Sequence, residues 1–167
     1  WKRYGAKLPF GRQSSVRLRA ATEEEAAEAI RVEAEIAGLK AKAWTEASAR
    51  ASPVINISGA TGDNAAIVNG IFDLEKDEQE QDESVSLVYG KRRSSAEQGD
   101  KKPYFWLFFS TQNRWHVSNP TDKSARADGT GWLTSVGVTT AGTLPDEIPA
   151  DKWTVWTHDA HLALIHL

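Results

Sequence analysis

The run Tyr104-Phe105-Trp106-Leu107-Phe108-Phe109, broken by Ser110-Thr111-Gln112-Asn113 and resumed as Arg114-Trp115-His116-Val117, decides the fold class. Aromatic and β-branched side chains fit a pleated surface, and a polar break between two such runs supplies a turn. The stretch therefore predicts a β-hairpin. Alternation adds a sharper condition. Both faces of the strand over 104–109 carry aromatic rings, and one set cannot lie in a one-sided core. Either the strand is central between two layers, or one of its faces, with Phe105 and Phe109 as the candidates, docks on a partner.

Outward from the hairpin, period-two patterning continues in both directions. Toward the N-terminus, Val54-Ile55-Asn56-Ile57-Ser58 reads as a short strand and Gly59-Ala60-Thr61-Gly62-Asp63-Asn64 as a turn. Residues 67–74 read as a strand in which Asn69-Gly70 marks a bulge or bend, and 84–89 as a half-buried strand. Between them, 75–83 is rich in acids and reads as a solvated loop. Toward the C-terminus, 119–131 reads as loop, 132–138 as a strand and 144–149 as a Pro-bounded connection. Trp153-Thr154-Val155-Trp156 and 161–167 form a last hairpin turned at His158-Asp159-Ala160. Such a series of short strands predicts a mainly β fold over residues 53–167, a small antiparallel sandwich or barrel.

Residues 21–52 predict one long N-terminal α-helix. Thr22 and Glu25 form a capping box, Glu23, Glu24 and Glu25 sit where the positive end of the helix dipole favours acids, and Ser52-Pro53 stops it. Ala29, Val32, Ile36, Leu39 and Ala43 recur at alternating spacings of three and four, a narrow heptad seam. Ordering so long a helix on so thin a stripe needs a partner helix or the β domain behind it. A solvated strut with Trp44 tucked into the domain is the other reading. Ile36, Leu39 and Trp44 are the interface candidates here.

Residues 1–20 hold Lys2, Arg3, Lys7, Arg12, Arg17 and Arg19 and no acid, with Gly5, Pro9 and Gly11 breaking any periodicity. They predict a basic extended tail, and Lys2, Arg3, Arg12, Arg17 and Arg19 are its interface candidates. Basic, Ser-containing and acid-free is also the composition of organellar transit sequence. A basic tail lying on an acidic neighbour is the second reading. The chain has no Met and begins with Trp1, so a removed targeting peptide or a longer parent chain is expected.

Composition narrows the function classes. A formal net charge of -3 gives no global attraction to nucleic acid, and none is expected as a partner. No run approaches the roughly 18 apolar residues of a membrane span, so a membrane is met only peripherally or through partner subunits. Without Cys there is no thiolate nucleophile or ligand. His158, His161 and His166 are the only His cluster, and on a turn they diverge rather than converge on a metal. His116 alternates with Trp115 and Val117 and points off their face. Gly59-x-x-Gly62 follows a strand but lacks the third Gly, the Lys-Ser/Thr and the helix of a nucleotide loop. No nucleophile elbow is present. The expectation is no catalytic residue, no metal and no cofactor.

Trp106, Trp115, Trp132, Trp153 and Trp156 either fill the core of a thin domain or present an aromatic platform. With Gly59-x-x-Gly62, Asn69-Gly70-Ile71-Phe72, Tyr89, Trp106, Arg114-Trp115-His116-Val117, Leu144-Pro145 and Trp153-x-Val155-Trp156, the β region resembles a Trp-rich repeat module common in large proteins of algae and other protists. The tail and the Glu/Ala-rich helix look similar to the start of mature plastid proteins from secondary-plastid algae. Together these resemblances imply a plastid accessory protein, an extra subunit bound to a photosystem or its antenna; the alternative compartment is the cytoplasm. Pigment-binding proteins differ in having a membrane helix to hold chlorophyll. The expected function is a non-enzymatic structural subunit that docks on a larger protein assembly through tail, helix and aromatic β surface. A carbohydrate- or peptide-binding β module is the alternative.

Overall fold

The computed structural model describes residues 19–75, 86–93, 103–127, 131–156 and, for the backbone, 163–164. The chain falls into two units, Trp1–Ala34 and Glu35–Leu167, with helix α1 (Glu23–Arg50) opening in the first and closing in the second.

In the first unit the capping box forms as its sequence requires. Thr22 N donates to Glu25 Oε2 at 2.9 Å, and Glu25 N donates to Thr22 Oγ1 at 3.2 Å. Arg19 adds a forked pair to the same carboxylate. The Arg19 guanidinium, and after it the Thr22 N–H, hold the Glu25 carboxyl down at about 2.

In the second unit the chain is one antiparallel meander in which every strand pairs with the next. In order these are β1 (Val54–Ile57), β2 (Gly70–Glu75), β3 (Val88–Lys91), β4 (Trp106–Phe109), β5 (Trp115–Ser118), β6 (Leu133–Ser135), β7 (Trp153–Val155) and the two-residue β8 (Ala163–Leu164). The sheet curls into a half-barrel. The first hairpin expectation holds: Phe109 pairs with Trp115 and Leu107 with Val117. Ser110 N donates to Arg114 O at 2.7 Å to close the turn, and Asn113 takes the left-handed conformation (φ 57°) that Asn tolerates better than most residues.

The concave face carries the main core. Register puts Tyr89, Leu107, Val117, Leu133 and Val155 in one cross-strand row, with Phe109 and Trp115 beside it. The last part of α1 closes over this face. Trp44 stands edge-on to Phe109 at 4.9 Å and to Trp115 at 6.0 Å between ring centroids. Ala47 is buried beside it in the same cluster. The loop at Gly142 (φ 83°) comes so close to the helix that an added Cβ would lie 2.7 Å from Ala43 O. Arg50 then donates to Gly142 O at 2.8 Å and pairs with Glu147 at 3.2 Å.

The convex face is buried as well. Val88, Phe108, His116 and Thr134 form the next row across β3 to β6, and the first three are enclosed. A short helix, α3 (Pro120–Ala125), packs on β4 and sends the buried Lys123 over the Trp106 ring, Nζ 4.9 Å from its centroid. Gly131 approaches His116 and Val117 where a Cβ would stand 3.0 Å from Val117 O. The aromatic strand is thus central between two layers, which resolves the alternation in favour of core.

Four sequence expectations are corrected. Ile67 and Val68 belong not to a strand but to a one-turn helix, α2 (Ala65–Val68), which buries Val68 and whose Ala66 and Ile67 carbonyls accept from Lys91 Nζ at 2.5 and 2.8 Å. The strand expected at 84–89 begins at Val88 and continues to Lys91, and within it Gly90 lets Pro103 pack where a Cβ would sit 2.5 Å from its Cγ. The expected loop at 119–131 contains α3, capped by the Asn119 side chain accepting from Asp122 N at 2.9 Å. Of the acidic loop expected at 75–83, Glu75 instead ends β2, and 76–83 lie outside the described residues, as does the His158-Asp159-Ala160 turn.

Several buried polar atoms, Trp106 Nε1 and Ser110 Oγ with the Tyr89 hydroxyl, have no hydrogen-bond partner among the described residues. Tyr89 is fully buried, and burial, with Asp146 adding repulsion, pushes its pKa up to about 12. Tyr89→Phe is expected to leave stability unchanged or raise it by up to about 1 kcal/mol at neutral pH. Unfolding exposes a phenol that ionises near its ordinary 10.0 while the folded one stays neutral, so the wild type loses stability between 10.0 and about 12. The Phe variant lacks this loss. Denaturant curves for both proteins at neutral pH and at about pH 11 check the sign.

Candidate interaction surfaces

Two surfaces stand out once the core is accounted for. The first is on α1. Ile30 is 68% exposed, Ile36 46% and Leu39 63%, and Val32 is exposed with them. Within the second unit the seam residues Ile36 and Leu39 are uncovered among the described residues, and burial of the helix begins only near Trp44. Trp44 is tucked into the β domain, and the β domain does not cover Ile36 and Leu39, which leaves a partner helix as their remaining cover. Around these aliphatic residues the helix carries Glu28, Glu33 and Glu35, then Lys40 and Lys42. Glu28 pairs with Arg31 at 2.7 Å and Lys42 with Glu46 at 4.0 Å, both in solvent.

The second surface is a groove at the open end of the sheet. Among the described residues β1 is the terminal strand, paired on one side only. Leu74 N donates to Pro53 O at 2.8 Å, which fixes the antiparallel alternation: the Ile55 and Ile57 backbones bond toward β2, and those of Val54 and Asn56 face the open side. Beneath this edge lies a groove of about 320 Å³ floored by Leu107 and Leu133 and walled on the far side by Pro145, Ile148 and Trp153. The wall is built by two 3₁₀ turns, Pro145–Glu147 and Ala150–Lys152. Asp146 is the one charged residue of the lining and accepts from Ser52 Oγ at 3.2 Å.

The sequence-derived candidates divide accordingly. Ile36 and Leu39 are on the surface. Trp44 and Phe109 are core residues, and Phe105 is half-buried edge-on against Trp132 at 5.1 Å, so these rings present no free docking face. Arg19 is committed to Glu25. Lys2, Arg3, Arg12 and Arg17 lie outside the described residues, as do His158, His161 and His166. Among the described residues no three His, Asp or Glu side chains gather as a metal site would need, and no helix is long and apolar enough to cross a membrane.

Sequence reasoning missed the groove. Its signal was topological: the first strand of a meander is an edge, and Pro53 at its start is what edge strands tolerate. It also missed the helix that packs on β4, although Asn119-Pro120-x-Asp122 carries an N-cap, a Pro at the first helical position and an acid in the first turn. No family model, curated protein or solved structure matches the chain.

Proposed function

We propose that the chain is a non-enzymatic structural subunit that docks on a larger protein assembly, with the exposed aliphatic side chains of α1 seated against a helix of a partner. The observation that carries this reading is the exposure of Ile36 and Leu39 in the second unit, a turn or two ahead of the buried Trp44. Leaving such residues in water forfeits about 1.5–3 kcal/mol each relative to full burial. The four-and-three spacing of Val32, Ile36 and Leu39 suits helix-on-helix packing, and the change from Glu33 and Glu35 to Lys40 and Lys42 gives a partner helix a preferred direction. The basic tail adds a second contact to an acidic neighbour. Its composition and that of the helix favour a plastid assembly, a photosystem or its antenna.

Ile36→Glu combined with Leu39→Glu is the test. Both positions are exposed, so the unfolding free energy is expected to change by no more than about 0.5 kcal/mol for each. In a native extract the wild-type chain sediments with a large assembly and the double variant sediments as a monomer. A wild type that is monomeric in the extract, or that pairs only with itself, overturns the reading. So does a folded double variant that stays in the assembly.

A further inference from the structure

The open edge of β1 offers a different kind of binding. A strand edge presents N–H and C=O groups to any extended chain, and natural sheets guard such edges by shortness, Pro or cover. β1 is four residues long and follows Pro53, which limits the edge to a short segment. Among the described residues nothing covers it: Val54 and Asn56 are exposed, and their backbone groups face away from β2. Two residues apart on one edge, they stand about 6.6–6.8 Å from each other, the repeat of an extended partner strand.

Side-chain recognition is available at the same place. A strand laid along this edge alternates its side chains, and every second one points into the apolar groove over Leu107 and Leu133, against Ile148 and Trp153. The lining carries one acid, Asp146, and no base. We infer that this edge takes up an extended peptide of a partner protein, with apolar residues at alternate positions and a lysine or arginine opposite Asp146. The opposite wall, Pro145 to Ala150, favours a single strand over the broad edge of a second folded sheet. This site is independent of the helix surface, and neither reading depends on the other.

Asn56→Pro tests it directly. The Asn56 N–H faces away from β2, so the substitution removes a donor from the free edge without removing a ladder bond, a place where edge strands accept Pro. The probes are blocked nonapeptides with Val or Leu at alternate positions and Lys, Gln or Glu between them, titrated against the full chain by calorimetry. Wild type and Asn56→Ala, which keeps the N–H, bind the Lys peptides. Asn56→Pro weakens them at least about tenfold, and Asp146→Asn abolishes the preference of Lys over Gln. N-methylation of alternate peptide amides weakens binding to the wild type by a similar factor, a measurement that holds even where Asn56→Pro does not fold. Three results overturn the inference: no peptide of the set binding up to about 1 mM, N-methylation without effect, or a peptide-free dimer that Asn56→Pro dissolves. Sedimentation of Asn56→Pro with the large assembly stays unchanged, which separates this site from docking through α1.

Discussion

Trp115→Ala lowers the unfolding free energy by about 3–5 kcal/mol, a large part of the 5–15 kcal/mol typical of a domain. The ring is fully buried and meets Trp44, Tyr89 and Phe109 at centroid distances of 6.0, 6.2 and 5.7 Å. Truncation removes that burial, leaves a cavity between sheet and helix, and strands the Thr143 carbonyl, which accepts from Trp115 Nε1 at 2.9 Å. Trp115→Phe separates the contributions. It keeps most of the ring and loses the hydrogen bond, and the expected cost is about 1–3 kcal/mol. Denaturant unfolding followed by circular dichroism gives both numbers. A cost for Trp115→Ala below about 1 kcal/mol would mean that the ring is not at the centre of the core.

The second large effect is at Trp44. Its truncation also costs about 3–5 kcal/mol by burial and cavity, but the consequence has a different shape. Trp44 and Ala47 are the buried residues of α1, so this one ring carries most of the helix's attachment to the sheet. A helix without tertiary burial is marginal in water even at favourable composition. Hydrogen exchange in Trp44→Ala is therefore expected to rise across Lys40–Arg50 by a larger factor than across β4 and β5. Equal acceleration of helix and sheet would instead mark a single cooperative loss and contradict the anchor role.

The parts of this fold that were legible in sequence are those fixed by local chemistry. The capping box at Thr22 and Glu25, the stop at Ser52-Pro53 and the hairpin around Ser110–Arg114 each follow from a few neighbouring residues. The errors fall where a distant residue decides. Ala65-Ala66-Ile67-Val68 has no helical preference strong enough to announce one turn of helix; Lys91, brought over from β3, donates to its free carbonyls. The continuation of β3 past Tyr89 brings Gly90 against Pro103, a contact that no local pattern announces. The alternation at 104–109 correctly posed two layers against an exposed face, yet period two alone says nothing about what covers the second face. That answer lies in α3 and the approach of Gly131.

For the candidate sites the same limit applies with greater force. Ile36 and Leu39 were readable as apolar seam residues, but seam spacing is identical whether the stripe is covered by the chain itself or left bare. Phe109 looked like an interface residue because aromatic density marks cores and interfaces alike. The groove at β1 needs three segments, 52–58, the sheet floor and 145–153, and no local pattern joins them.

The central claim is that docking goes through the bare aliphatic face of α1 and not through the aromatic strands. Hydroxyl-radical footprinting of side chains, on the free chain and on the chain within its native assembly, tests this directly. Ile36 and Leu39 are expected to label strongly when free and to be protected in the assembly, while Phe105 and Phe109 label weakly and equally in both. Undiminished labelling of Ile36 and Leu39 in the assembly, with new protection at Phe105, would contradict the account.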